Sequence, residues 1–136
     1  NFAQGIDFNK ITYEEAIDKA IEEEKLVMIL VRFSNDPFAS AMESIYKNEE
    51  VADYYNTHFI NVDKEIDIRN PEDMIFLKDF EIESSPSYIY LNAEYEQIIA
   101  IYNGRTDRSS DFLEQAKVAV QGICYGLEKI MEDYPN

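Results

Sequence analysis

One cysteine, Cys124, stands in a chain of 136 residues. An internal disulfide is therefore excluded, and with it any exchange reaction that needs two thiols of one chain. The count alone leaves the redox compartment open. Histidine is as scarce: His58 is the single one. A metal site built on several imidazoles cannot assemble, and a Ser-His-Asp triad has one base to choose from. Glycine and proline occur four times each, so there is no glycine-rich loop to cradle a phosphate, and each of these residues marks a turn or an end. The longest apolar run, Leu26–Val31, is far short of the roughly 20 residues that cross a bilayer, so no membrane insertion is expected. Positive charge is short as well. Twelve Lys and Arg face 28 Asp and Glu, a net charge of −16. That balance argues against nucleic acid and against an anionic membrane surface. Its plain meaning is solubility through self-repulsion; its sharper meaning is a basic partner or loosely held cations. The chain starts at Asn1 rather than Met, which reads as a trimmed product from which a signal peptide has been removed.

What is present builds a core. Hydrophobic residues make up 46%, ten Tyr and eight Phe among them, enough for one compact domain over residues 1–136 with little disorder. Within it, residues 1–5 read as an N-terminal tail and 121–136 as a helical C-terminal extension.

The order of elements follows from periodicity and caps. Ile6-Asp7-Phe8 alternates and predicts a short edge strand. Thr12 and Glu15 form a capping-box pattern, and Ala16, Ile17, Ala20 and Ile21 mark one face of a helix that ends near Glu24. Leu26–Phe33 is a nearly continuous apolar run, the pattern of a strand buried on both faces. Ser34 or Asn35 is expected to cap the next helix, with Pro37 in its first turn and Phe38, Met42 and Ile45 as its stripe. Asn48 caps a further helix with Val51, Tyr54 and Tyr55, and Phe59–Val62 is a second strand. Asn70-Pro71-Glu72-Asp73 combines a cap, a first-turn proline and acids at the positive dipole end; the helix it opens carries Met74, Leu77 and Phe80. Ser87–Leu91 and Glu96–Tyr102 flank a turn and predict a hairpin, broken by Gly104. Ser109 or Ser110 then caps a long last helix striped by Ala116, Val120, Ile123, Leu127 and Ile130. Parallel crossovers first and a hairpin last imply an α/β fold: a central mixed sheet, helices on both faces, and a C-terminal hairpin followed by a long helix.

These pieces resemble the thioredoxin fold. More narrowly, the chain resembles secreted bacterial thioredoxin-like proteins of the thiol–disulfide interchange type. The likeness runs through Ala3-Gln4-Gly5-Ile6-Asp7-Phe8, Ala16-Ile17-Asp18-Lys19-Ala20, Lys25-Leu26-Val27, Glu50-Val51-Ala52, Ser85-Pro86-Ser87-Tyr88 and Gly104, and covers about residues 3–120. Met42 stands three residues after Ala39, as a Met does after the second cysteine of the family's C-x-x-C pair. The resemblance implies that the family's two cysteines fall on Asp36 and Ala39, its preceding Trp on Asn35 and its buried acid on Leu30. It also implies a cis bond before Pro86, which would leave the backbone of Ser85 free to pair with an extended peptide. Neither Asp36 nor Ala39 can attack or resolve a disulfide, so the C-x-x-C motif is absent and dithiol exchange is not expected.

Each candidate residue has a structural and a functional reading. Asp36 is a helix cap or a holder of something cationic. Phe38 is core or an exposed contact. Pro86 either turns Ser85 outward or merely opens the hairpin. Cys124, on the last helix, is a small buried hydrophobe or a reactive thiol, and its neighbours Glu114 and Glu128 offer nothing to lower its pKa. Asp63, Glu65 and Asp67 alternate loosely like a calcium loop, but Ile68 and Met74 stand where that loop needs Gly and an acid; a solvated loop is expected. His58 is expected to be structural. No metal and no cofactor are called for.

The function expected is a non-redox protein- or peptide-binding module, periplasmic or secreted, with a neutral or basic partner. Its binding face would comprise Asn35, Asp36, Pro37, Phe38, Ser84, Ser85, Pro86 and Gly104. Two other classes stay open: a thiol-dependent enzyme acting through Cys124, and a structural subunit that dimerises through the last helix.

Overall fold

The computed structural model describes residues 4–133 of the chain, and the side chains of residues 4–122. The strands are β1 (Phe8–Asn9), β2 (Leu26–Phe33), β3 (Phe59–Ile66), β4 (Ser87–Asn92) and β5 (Gln97–Asn103). The helices are α1 (Tyr13–Glu23), α2 (Pro37–Ser40), α3 (Glu43–Tyr46), α4 (Glu49–His58), α5 (Pro71–Asp79) and α6 (Ser109–Asp133). One sheet holds all five strands in the order β1-β3-β2-β4-β5. β1, β3 and β2 are parallel, and β4 and β5 run antiparallel to their neighbours.

The central position of β2 explains its sequence. Its side chains alternate between two apolar clusters, one on each face. Met28 and Leu30 join α3, α4 and α6 through Ile45, Val51, Tyr55, Phe112 and Ala116. Val27, Ile29 and Val31 join α1 and α5 through Ala16, Ile17, Ala20 and Leu77. A strand covered on both sides has no polar face to show, hence the unbroken apolar run. Local signals set the helix ends. The Thr12 hydroxyl accepts from the Glu15 amide at 3.1 Å while the Glu15 carboxylate accepts from the Thr12 amide at 3.2 Å. Asn48 accepts from the Val51 amide and Asn70 from the Glu72 amide, each satisfying a first-turn donor.

Several expectations are corrected. β1 begins at Phe8; Ile6 precedes it, buried, with its amide on the Tyr46 carbonyl at 2.9 Å. Gly5, placed by its sequence position in a free tail, is tied in, its carbonyl accepting from Asn56 Nδ2 at 3.2 Å. A Cβ there would meet the Tyr46 carbonyl oxygen at 3.3 Å, and its φ of +120° also favours glycine. The acids at 63 and 65 are not in a loop: β3 continues to Ile66, and their alternation is the period of a strand. The helix expected after β2 is two short helices, and neither Ser34 nor Asn35 caps the first. Asp36 does. Met42 and Ile45 face the core, while Phe38 leaves the stripe and is 53% exposed. His58 ends α4 instead of leading a strand, its ring tilted against that of Tyr54 with centroids 4.2 Å apart. β5 starts at Gln97, one residue late, because Glu96 has φ +49° in the turn. α6 already includes Ser109; its first turn closes on the Arg108 carbonyl. The helical segment expected after residue 120 is continuous with α6 to Asp133.

Candidate functional site

The strands β2 and β3 are parallel, so the segments that follow them emerge at the same end of the sheet. The loop before β4 and the loop after β5 reach that end too. Short hydrogen bonds bind these four segments together. The Ser34 amide and hydroxyl both reach the Ile66 carbonyl at 3.2 Å. The Phe33 amide donates to the Ser85 hydroxyl at 2.9 Å. The Gly104 amide donates to the Pro86 carbonyl at 2.7 Å, with Gly104 at φ +91°, a conformation glycine takes without strain. The Ser87 hydroxyl lies 2.8 Å from the Ser84 carbonyl and 2.9 Å from Asn103 Oδ1.

The residues expected at a binding face therefore do converge: Asn35, Asp36, Pro37 and Phe38 on one loop, Ser84, Ser85 and Pro86 on the second, Gly104 on the third. The Ser85–Pro86 bond is cis, and Pro86 is buried. Among the described residues, neither the amide nor the carbonyl of Ser85 has a hydrogen-bond partner; only its hydroxyl is engaged. Asn35 has φ +62°, in the left-handed region that asparagine tolerates. Asp36 accepts from the Phe38 amide at 2.9 Å through Oδ1. Ala39 is buried under this turn.

Two contributors were not foreseen. Arg105 holds its guanidinium 5.3 Å from the centre of the Phe38 ring, a cation–π contact that steadies an otherwise exposed aromatic. Only its place beside Gly104 hinted at it. Ile68 is 68% exposed on the segment after β3; reading that segment as a longer loop concealed where it would stand.

Beside α2 lies a cleft of about 380 Å³, lined by Leu30, Arg32, Asp36, Ala39, Tyr46 and Asp63 among others. Its floor at Leu30 is apolar. Three of its charges are closed on each other: Arg32 Nε meets Asp63 Oδ1 at 2.8 Å, Nη2 meets Oδ2 at 3.0 Å and Nη1 meets Glu65 at 3.2 Å, while among the described residues Asp36 Oδ2 has no hydrogen-bond partner. The hydrogen bond to Asp63 raises the Arg32 pKa above its ordinary value. The Tyr46 hydroxyl is 2.6 Å from that of Tyr88, and burial pushes both phenols up, out of reach of neutral pH. Such a cleft supplies neither a thiol nor a phenolate. What the whole end of the sheet presents is free backbone at Ser85 and apolar surface at Phe38 and Ile68.

Cys124 lies outside the residues whose side chains are described. His58 stands at the other end of the sheet, where β3 begins, beside a cleft of about 630 Å³ with Lys25, Glu24 and Glu94. Among the described residues there is no cluster of His, Cys, Asp and Glu able to hold a metal ion, and no helix long and apolar enough to cross a membrane.

No family model matches the chain, and no curated protein matches it. Solved structures do. A candidate disulphide-isomerase from Bacteroides thetaiotaomicron superposes with a TM-score of 0.75 at 23% identity, over 88% of this chain and 97% of that one. A thioredoxin from Thermus thermophilus gives 0.74 at 17%, over 89% and 94%. The oxidised C-terminal domain of DsbD from Neisseria meningitidis gives 0.65 at 16%, over 82% and 97%. The chain has the thioredoxin fold, with a single cysteine in its sequence.

Proposed function

We propose that this thioredoxin-fold chain is a non-redox binding module that takes an extended protein or peptide segment across the end of its sheet. The unpartnered amide and carbonyl of Ser85 carry the reading. An extended segment laid beside them gains main-chain hydrogen bonds, the strand-addition mode of recognition. Phe38, steadied by Arg105, and the exposed Ile68 offer apolar contacts at the same end of the sheet. Asp36 and Ala39 occupy the positions that correspond to the redox pair of the thioredoxin-like proteins the chain resembles, so the scaffold keeps the shape and lacks the sulfurs. The net charge of −16 favours a neutral or basic segment. We place the protein in the periplasm or outside the cell, in keeping with the resemblance of its first residues to secreted proteins.

The test is an amide-shift titration of the intact chain with a set of short, unstructured peptides of neutral and of basic composition. Shifts are expected first at Ser85, Phe38 and Gly104. Phe38→Ala is expected to weaken the binding about tenfold, the loss of one good aromatic contact, with thermal stability unchanged because the ring is exposed. Peptides that shift only residues elsewhere, or no peptide shifting any, defeat the proposal. So does measurable disulfide reduction by the chain in an insulin assay.

A further inference from the structure

The two borders of the sheet are not alike. β1 covers β3 for only two residues, Phe8 and Asn9, and the rest of that border carries Asp63, Lys64 and Glu65. Charges of this kind blunt a strand edge against pairing with another chain. At the other border β5 runs seven residues, Gln97–Asn103, with no strand on its outer side among the described residues. It has no charged residue and no proline, although the chain as a whole carries 12 basic and 28 acidic residues. Ile98 is 45% exposed there, and Ile99, Ala100, Ile101 and Tyr102 are half-buried. One irregularity interrupts the ladder. Ile98 faces Leu91 and Ala100 faces Tyr90, so Ile99 bulges, leaving Ala100–Asn103 as a regular edge.

We infer that β5 is a homotypic contact: two copies of the chain join their sheets edge to edge, β5 antiparallel to β5 about a two-fold axis. An open strand edge is completed only by another strand, and a second copy brings one of the same length and the same neutrality. Two-fold pairing over Ala100–Asn103 sets uncharged residues against uncharged residues and brings Ile101 against its own copy, with Ile98 on the same face at the end of that stretch. A strand from a basic partner finds no carboxylate within β5 itself. The assembly closes at two, because the remaining borders offer two residues of β1 and a charged stretch of β3. A single strand pair is smaller than the standard interface, so the dimer is weak and forms at high concentration. Since both bodies are strongly acidic, salt favours it, the opposite of the salt response of an acid–base partnership.

Sedimentation equilibrium of the full chain from micromolar to millimolar concentration is the experiment, at low salt and at about 1 M salt, where the Debye length is about 3 Å. The mass is expected to rise from 15.9 kDa toward twice that value, at lower concentration in high salt. Ile98→Lys, at an exposed position, is expected to keep the circular dichroism of the native chain and to stay monomeric throughout. Val118→Lys, equally exposed at 45% but on α6, is expected to dimerise like the native chain. If Ile98→Lys fails to fold, amide exchange of the native chain decides: the Ile101 and Asn103 amides, which face away from β4, must slow as concentration rises. A native chain that stays monomeric, a dimer untouched by Ile98→Lys, a dimer abolished by Val118→Lys, growth beyond two copies, or unslowed β5 amides each overturns the inference.

Discussion

Arg32 and Asp63 meet as a fork across adjacent parallel strands, with both carboxylate oxygens held, at 2.8 and 3.0 Å. Their side chains are 24% and 13% exposed, so each charge is partly desolvated and depends on the other. Arg32→Ala is expected to cost about 2 kcal/mol in urea unfolding, because Asp63 then keeps its charge without a partner. Replacing both, as Arg32→Met with Asp63→Leu, is expected to recover most of that loss. A double variant as unstable as the single one would show that the pair acts through something other than mutual neutralisation.

Tyr55 sits where three elements cross. Its hydroxyl donates to the Phe112 carbonyl at 2.7 Å, which leaves the Tyr90 hydroxyl to donate to Tyr55 at 2.6 Å. Its ring stacks on Phe112 at 4.6 Å. Tyr55→Phe keeps the stack, removes two buried hydrogen bonds and leaves the Tyr90 hydroxyl only its longer contact with Gln115 Oε1 at 3.4 Å, so a loss of about 2 kcal/mol is expected. Thermal melts of Tyr55→Phe beside the exposed control Tyr95→Phe measure it; equal melting temperatures would refute the reading.

Burial raises the phenols of Tyr46, Tyr55, Tyr88 and Tyr90 well above the ordinary tyrosine range. Because the folded values lie above the unfolded one of about 10, their stabilising contribution is whole below that pH and is lost as pH climbs past it. In an absorbance titration these four of the ten tyrosines are expected to ionise only together with loss of the native circular dichroism. Ionisation of all ten while that signal persists would contradict the buried network.

At the acid end the relevant group is Asp73. Lys64 Nζ lies 2.8 Å from its Oδ1, and the Asp67 amide donates to its Oδ2 at 2.9 Å. The Lys64 hydrogen bond first, then that amide, hold its carboxyl below the ordinary range. A depressed value stabilises above the unfolded pKa of about 4 and fades as pH falls through it. Asp73→Asn is expected to cost about 1 kcal/mol at neutral pH, and the gap from the native chain should narrow steadily below about pH 4. A gap that stays constant down to acid unfolding would remove the ion pair from the account.

Those same residues show where the sequence could be read and where it could not. β2 announced itself because a strand between two layers has nothing but apolar side chains to show. The Thr12–Glu15 box and the Asn70-Pro71 start are local chemistry, complete within one turn. The second half of β3 was illegible for the opposite reason. Asp63, Lys64 and Glu65 look solvated in sequence, and what keeps them on a strand is remote: Arg32 from β2 and Asp73 from α5. The break between α2 and α3 was hidden by Phe38, Met42 and Ile45, whose spacing fits one helix although Phe38 faces out. At the candidate site, resemblance placed Asp36, Ser85 and Pro86, but Arg105 and Ile68 required knowing which loops meet.

The paired hydroxyls of Tyr46 with Tyr88 and Tyr55 with Tyr90 also bear on how this chain can drift over generations. Losing one phenol takes from its mate a hydrogen bond of 2.6 Å, whereas losing both together leaves two rings that still pack. Descendants of this sequence should therefore exchange these positions in couples, so that the record of substitutions at 46 follows that at 88, and 55 follows 90.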